Sequence, residues 1–295
     1  MKNIVHLLSY IILQITCFIL ILLPLGFSYF LARGIGDFAW HVLRYRRQIV
    51  MDNLQIAFGR EMSKSQLEEI AVESYKQIAT SFIELLIGPK LQKEIQRILQ
   101  AEQIELIQEL LRQGHGLITV TGHLGGWELQ AAAAATVIAE PLTVAAVQQS
   151  NPYINRFITK RRNAMGMQVA GTKEAMKLLL KALRNQQVIG LAADQNAGAH
   201  AVFVDFFGKT AATHPGPAQL ALKFNAPMLV AVAVRIGPAQ FKILSQKVEI
   251  KEDDTVETLT QRHVKILESF IRQYPEQYFW LHRRWKTRPP GELKI

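Results

Sequence analysis

The chain has a single cysteine, Cys17, in 295 residues. That excludes an internal disulfide and any cysteine-built zinc site. Cys17 also lies in the most apolar stretch of the chain, a poor setting for a thiolate nucleophile. Internal repeats, low-complexity tracts and Gly/Ser-rich linkers are missing too. Acidic residues are outnumbered: 24 Asp and Glu stand against 34 Lys and Arg, leaving a net charge of +10 and a pI near 9.7. That balance points to an anionic partner, and nucleic acid, an acidic membrane surface and a phosphorylated substrate all suit it.

Charge is absent from Ile4 to Ala32, where no Asp, Glu, Lys or Arg occurs. The run is long enough to cross a bilayer once. Pro24 and Gly26 interrupt it and Gln14 and Thr16 weaken it, so a tilted or re-entrant anchor also fits. For a cleavable signal it is too long and lacks a small-x-small cleavage site. A buried helix of a soluble protein is the remaining alternative. Arg33, Arg44, Arg46 and Arg47 follow the run, against Lys2 before it, so the positive-inside rule puts the bulk of the chain in the cytoplasm.

With 49% hydrophobic residues, the length allows one large core or a catalytic domain with an N-terminal module. We divide it into a membrane anchor helix over 1–32, a helical connecting region over 33–100 and an α/β domain over 101–295. In the connecting region Ser63-Lys64-Ser65-Gln66 opens a capped helix, with Leu67, Ile70, Ala71, Ser74, Tyr75 and Ile78 at helical spacing. The Arg44–Arg47 cluster suits lipid headgroups or a solvated face.

From about Ile104 short apolar runs alternate with helical segments. Strands are expected at Leu117–Thr121, Leu142–Val147, Val188–Ala193 and Met228–Val234, with Phe241–Ile250 as an edge or hairpin. Helices are expected at Trp127–Ile138, Pro152–Met165, Lys173–Leu183, Pro215–Phe224 and Val256–Arg272. This alternation predicts an α/β fold: a largely parallel central sheet flanked by helices. Sites in such sheets gather at the carboxyl ends of strands, where His123 and Asp194 both fall.

His123 and Glu128 are five residues apart. On one continuous helix they would sit about 140° apart and not meet. Gly125-Gly126 allows a sharp turn, so the glutamate is expected to fold back onto the imidazole and make it a general base. No serine or cysteine lies beside the pair, so the attacking hydroxyl belongs to a substrate. A metal site is disfavoured, because the pattern is not His-Glu-x-x-His and no second histidine is near. Asn151-Pro152 starts a helix carrying Arg156, Lys160, Arg161 and Arg162, and guanidinium forks suit phosphate. For Arg161 a solvated face is the better reading. Asp194 is read as a site residue rather than the cap of the next turn. The Val202–Gly208 stretch is read as a loop whose phenylalanines line an acyl channel or belong to the core. The tail over Tyr278–Pro289 mixes aromatics with cations, which suits a membrane interface or nucleic acid, but no nucleic-acid-binding motif accompanies it.

These residues together resemble the bacterial lipid A biosynthesis acyltransferases (lauroyl/myristoyl transferases), within the wider lysophospholipid and glycerol-phosphate acyltransferase group. The most specific part is Pro275-Glu276-Gln277-Tyr278-Phe279-Trp280-Leu281-His282-Arg283-Arg284-Trp285-Lys286-Thr287-Arg288-Pro289. The resemblance implies a glycerol-phosphate acyltransferase-like fold. It implies transfer of a fatty acyl chain from an acyl carrier protein or coenzyme A thioester to a hydroxyl of an anionic phosphorylated glycolipid, with no cofactor, metal or nucleic acid. It makes His123 the base and Glu128 its partner, and puts Arg162, Asp194 and Gln195 at the substrate; Arg156 is added from helix geometry. The implied location is the inner membrane, with the catalytic domain on its cytoplasmic face. The motif interior Leu124-Gly125-Gly126-Trp127 also occurs in relatives acting on other lipids, so a lysophospholipid or another glycolipid stays open as acceptor. Two other classes compete: a membrane-anchored hydrolase that activates water, and a non-catalytic basic surface protein.

Overall fold

The fold is described from a computed structural model, over residues 2–138, 142–171, 174–289 and 291. Lys173, Pro290 and the last residues of the tail lie outside that set. The chain opens with two helices, α1 (Lys2–Leu22) and α2 (Leu25–Phe38), which meet at Pro24. After α3 (Arg47–Phe58) comes α4 (Lys64–Ile87), which begins at the expected capping box of Ser63 and Gln66. A one-turn α5 (Gln92–Ile95) and α6 (Ala101–Leu111) lead to the sheet.

Strands and helices then alternate: β1 (Leu117–Thr121), α7 (Trp127–Ala135), β2 (Leu142–Ala146), α8 (Pro152–Ala164), β3 (Met167–Gly171), α9 (Ala175–Arg184) and β4 (Val188–Ala192). Next come β5 (Val202–Phe206) and β6 (Lys209–Thr213), α10 (Gly216–Phe224), β7 (Met228–Gly237), β8 (Gln240–Val248) and α11 (Val256–Gln273). Six strands form one sheet in the order β3-β2-β4-β1-β7-β8. All neighbours in it are parallel except β7 and β8, which form an antiparallel edge hairpin. The expected α/β fold is present, and β1 lies in the middle.

Period-2 alternation divides the sheet's residues between two faces. Ile118, Val120, Ile189, Leu191, Val230 and Val232 face a core shared with α9, α10 and α11. Leu117, Val188, Leu229 and Ala231 turn the other way, onto Ile107 and Leu110 of α6. Residues from the 33–100 region, including Trp40, Leu54, Phe58 and Tyr75, belong to the same core as the sheet. One strand of the main sheet escapes the sequence reading. β3 is a five-residue edge strand beginning just after Gly166 and ending on Gly171, and Gln168 breaks its apolar run.

The expected loop at Val202–Gly208 is instead a hairpin, β5–β6, whose tight turn puts both Phe207 (φ +56°) and Gly208 (φ +72°) in the left-handed region. Phe206 and Phe207 pack edge-on at 4.8 Å and belong to the core with Phe58, Trp280 and Trp285. The tail is a second correction. Tyr278, Trp280, Arg284 and Trp285 are buried rather than presented to a membrane or nucleic acid. Arg284 donates to the Ala212 carbonyl at 2.6 Å and to the Thr213 hydroxyl at 2.5 Å, so its charge locks the tail to β6.

A buried ion pair joins the helical region to the sheet edge. Arg235 of β7 donates through Nε and Nη2 to both oxygens of Glu84 on α4, at 3.0 and 2.6 Å, and also to Gln77 and Ser81. Tyr29 of α2 donates to the same Glu84 at 2.7 Å. Removing one partner strands a charge inside the protein. Arg235→Met is expected to cost about 3–5 kcal/mol. Arg33→Ala, which breaks the exposed Arg33–Glu73 pair, is expected to cost under about 1 kcal/mol. Denaturant titration in detergent micelles compares the two.

Candidate active site

The β1 strand delivers His123 into a turn that is gripped from three sides. Gly125 has φ +61°, and a Cβ there would come within 2.1 Å of the Ala233 carbonyl oxygen, so no side chain fits. The close approach is used: the Gly126 N–H donates to that carbonyl at 2.8 Å. The Gly125 N–H donates to the Gln277 carbonyl at 3.1 Å, and the Ser81 hydroxyl donates to the Gly125 carbonyl at 2.8 Å. The Phe279 N–H donates to the carbonyl of His123 itself at 3.0 Å. Tail, sheet edge and α4 together fix where the imidazole sits.

Its ring nitrogen Nδ1 lies 2.8 Å from Oδ1 of Asp194, and the His123 backbone N–H donates to Oδ2 at 2.8 Å. The Asp194 carboxylate is 2% exposed and the His123 side chain 25%. With the Nδ1 proton directed at the carboxylate, the Nε2 lone pair is left over. Among the described residues nothing hydrogen-bonds to Nε2. Trp127 packs edge-on to the ring at 5.3 Å and Phe279 lies at 5.9 Å, giving the imidazole apolar walls.

This arrangement corrects the expected His123–Glu128 contact. Glu128 sits in the first turn of α7 and accepts instead from Arg162, Nε to Oε2 at 2.9 Å and Nη2 to Oε1 at 2.5 Å. The reason is the two-pronged fit of guanidinium to carboxylate, with Arg162 arriving from the last turn of α8. Glu128 still acts on His123 through its charge. The carboxylate that touches the imidazole is Asp194.

Arg162 also lines a cleft of about 380 Å³, with Gln148, Asn155, Thr159 and Glu174 among its other walls. A contiguous cavity of about 420 Å³ shares Gln148, Gln149, Asn155 and Thr159 and adds Arg156 and Lys160. His123 lines neither, so Arg162 is what connects cleft and turn. Arg156 is exposed on α8, away from the imidazole. Gln195 is half-buried next to Asp194, and among the described residues its side chain makes no hydrogen bond. The sequence reading passed over Trp127 and Phe279 as walls of the site, though both lie inside quoted motifs. Ser81 carries no local signal, since it reaches the turn through the distant Gly125 carbonyl; Gln277 lies in the quoted closing segment and holds the turn by its backbone carbonyl and β7 by its side-chain amide.

The tail fixes the strand end as well. The His282 Nε2 accepts the Asn196 N–H at 2.9 Å, and burial lowers the His282 pKa to about 4, keeping that acceptor unprotonated. At the centre, burial alone would raise the Asp194 pKa; the His123 charge, two hydrogen bonds from His123 and the Arg284 charge outweigh it and hold the carboxyl at about 2. For His123, burial opposes protonation, but Asp194 and then Glu128 outweigh it and the net shift is upward.

Comparison with known proteins shows acyltransferases throughout, most of them named for lipid A biosynthesis. The family model described as bacterial lipid A biosynthesis acyltransferase matches residues 2–287. The chain is 30% identical to the lipid A biosynthesis lauroyltransferase of Escherichia coli K12 over 278 residues, 91% of this chain and 88% of that one. It is 25% identical to the palmitoleoyltransferase of the same organism, over 92% of this chain and 89% of the relative. With that organism's myristoyltransferase the identity is 27%, over 88% and 81%.

The pKa directions give a pH dependence. A raised His123 pKa means that its charged pairing stabilises the fold fully below pH 6.5 and fades as pH rises through the raised value. The lowered Asp194 pKa means that its share holds above 3.8 and fades as pH falls through about 2. Asp194→Asn removes the counter-charge, so the His123 imidazole, titrating above 6.5 in the wild type, is expected to titrate at lower pH. NMR of the ring resonances in micelles measures it; an unchanged midpoint contradicts the pairing.

Proposed function

This chain belongs to the bacterial lipid A biosynthesis acyltransferase family and is an acyltransferase; from that premise we propose that it moves a fatty acyl chain from an acyl carrier protein thioester to a hydroxyl of a lipid A precursor. The observation that carries the mechanism is the His123–Asp194 pair, which leaves Nε2 without a hydrogen-bond partner among the described residues, on a ring that keeps a quarter of its surface open. Nε2 takes the proton of the acceptor hydroxyl as the oxygen attacks the thioester carbonyl. The tetrahedral intermediate collapses, the C–S bond breaks, and the imidazolium returns its proton to the departing thiolate. Asp194 holds the tautomer and steadies the imidazolium while it is charged.

Glu128 and Arg162 take a second role in this proposal. Glu128 aims the Arg162 fork from the helix start, and Arg162 presents charge to the cleft where a phosphate of the glycolipid binds. Arg156 and Gln195 are assigned to the same acceptor, one at the outer cavity and one beside Asp194. The chemistry needs no cofactor and passes through no acyl-enzyme, since the attacking oxygen is the substrate's own. The names of the relatives support lipid A as the product class. The basic balance of the chain supports an acidic carrier protein as donor, with coenzyme A the competing donor. The apolar α1 supports attachment to a membrane; the inner membrane and its cytoplasmic face are our assignment.

The test is transfer of labelled acyl chains in membranes, with lipid mass spectrometry of a strain lacking the protein. His123→Ala is expected to lower kcat by on the order of 10²–10⁴-fold. Arg162→Lys, which keeps the charge and loses the fork, is expected to act mainly on KM for the lipid. Thioester breakdown at full rate without acceptor would mark a hydrolase instead. Loss of a chain from a lipid other than lipid A would change the acceptor.

A further inference from the structure

The helix α1 is long and apolar enough to cross a membrane, but its neighbours bear on whether it does. At its start, the side-chain amide of Asn151, the N-cap of α8, donates to the His6 carbonyl at 2.9 Å. One helical turn later Tyr10 stacks on Tyr153 at 5.8 Å and meets Phe157 edge-on at 6.5 Å. Further on, Arg161 of α8 donates to the Cys17 sulfur at 2.8 Å, and that thiol donates to the Leu86 carbonyl of α4. At its end Lys90 donates to the Ile21 carbonyl at 3.0 Å. The domain therefore follows α1 from His6 to Ile21. Crossing about 30 Å of hydrocarbon needs roughly 20 helical residues. No such length of α1 is free of the domain.

The companion along the first two-thirds of α1 is a cationic helix. Arg156 and Lys160 are exposed on α8, and Arg161 lies against α1 itself. If α1 crossed the bilayer as docked, these charges would ride into its centre, where charged side chains are costly and rare. The other face of α1 is apolar throughout: Ile4, Leu8, Ile12, Ile15, Phe18 and Leu22 are each more than half exposed and recur every three or four residues. Past Pro24, Phe27 and Phe30 of α2 extend the exposed apolar surface. An apolar helix lying beside a cationic one suits the plane of an anionic lipid surface, apolar side in the acyl boundary and cations among the phosphates.

We infer that α1 lies in the plane of the bilayer surface, docked along α8, and that the protein is held on one leaflet rather than threaded through the membrane. This rests on the reading of the chain as membrane-bound and replaces the crossing helix expected from hydropathy. It also sets the α8 cleft at headgroup height, beside the lipid it is proposed to take.

The experiment uses the full chain in a Cys17→Ser background, in sealed membrane vesicles with the cytoplasmic face outward. Single cysteines at Asn3→Cys and Arg60→Cys are treated with a membrane-impermeant maleimide. An in-plane α1 predicts that both label equally without detergent. Labelling of Asn3→Cys only after detergent overturns the inference. Independently, a Tyr10→Cys/Tyr153→Cys pair is expected to join through a short bis-maleimide in the same vesicles; two cysteines that never join also overturn it. Recovery of the protein in the soluble fraction, with no vesicle signal, sinks the membrane reading itself and this inference with it.

Discussion

The register of β1 against β4 is the constraint on which the site depends. The two strands pair in parallel from Leu117 with Val188 to Thr121 with Ala192, and the ladder extends through the Ala193 N–H to the Thr121 carbonyl. His123 and Asp194 are each two residues beyond a paired position, on neighbouring strands running the same way. A slip of one residue would turn the following side chains to the opposite face and separate them. What holds the register is the apolar burial of both strands on both faces. The pair is thus a product of the core before it is a product of local geometry.

That dependence explains what was legible in the sequence. Alternation and glycine punctuation located β1, β2, β4, β7 and β8 and the helices between them, because burial writes apolar runs into the inner strands and alternation into the edge strand β8. The same reading placed His123 and Asp194 at strand ends. It paired the histidine with Glu128, because proximity in sequence is visible and proximity across a ladder is not. The partner 71 residues away becomes evident only once β4 lies beside β1. The tail failed for a related reason. Its alternating aromatics and cations look like a surface, and only the β6 carbonyl and hydroxyl that receive Arg284 show it to be interior.

Charge in this protein is divided between internal work and external contact. Arg235, Arg284 and Arg162 are committed to Glu84, to β6 and to Glu128. Arg156 and Lys160 on α8 make no ion pair among the described residues, and they border the cavities beside the site. Interior guanidinium groups shape the surroundings of the His123 turn, while Arg156 and Lys160 stay exposed on one helix, a setting that suits an anionic surface.

The grip of the tail on the His123 turn has a consequence for how the protein comes into being. The Phe279 N–H and the Gln277 carbonyl that hold the turn are made more than 150 residues after it. Such long-range closure comes late, because the entropy of bringing the ends together must be met first. During synthesis the apolar N-terminal helix emerges long before the clasp does. A chain still on the ribosome therefore has its imidazole not yet gripped, and the His123 turn is completed only with the last segment. A product truncated before Gln277 lacks both contacts and carries no finished turn.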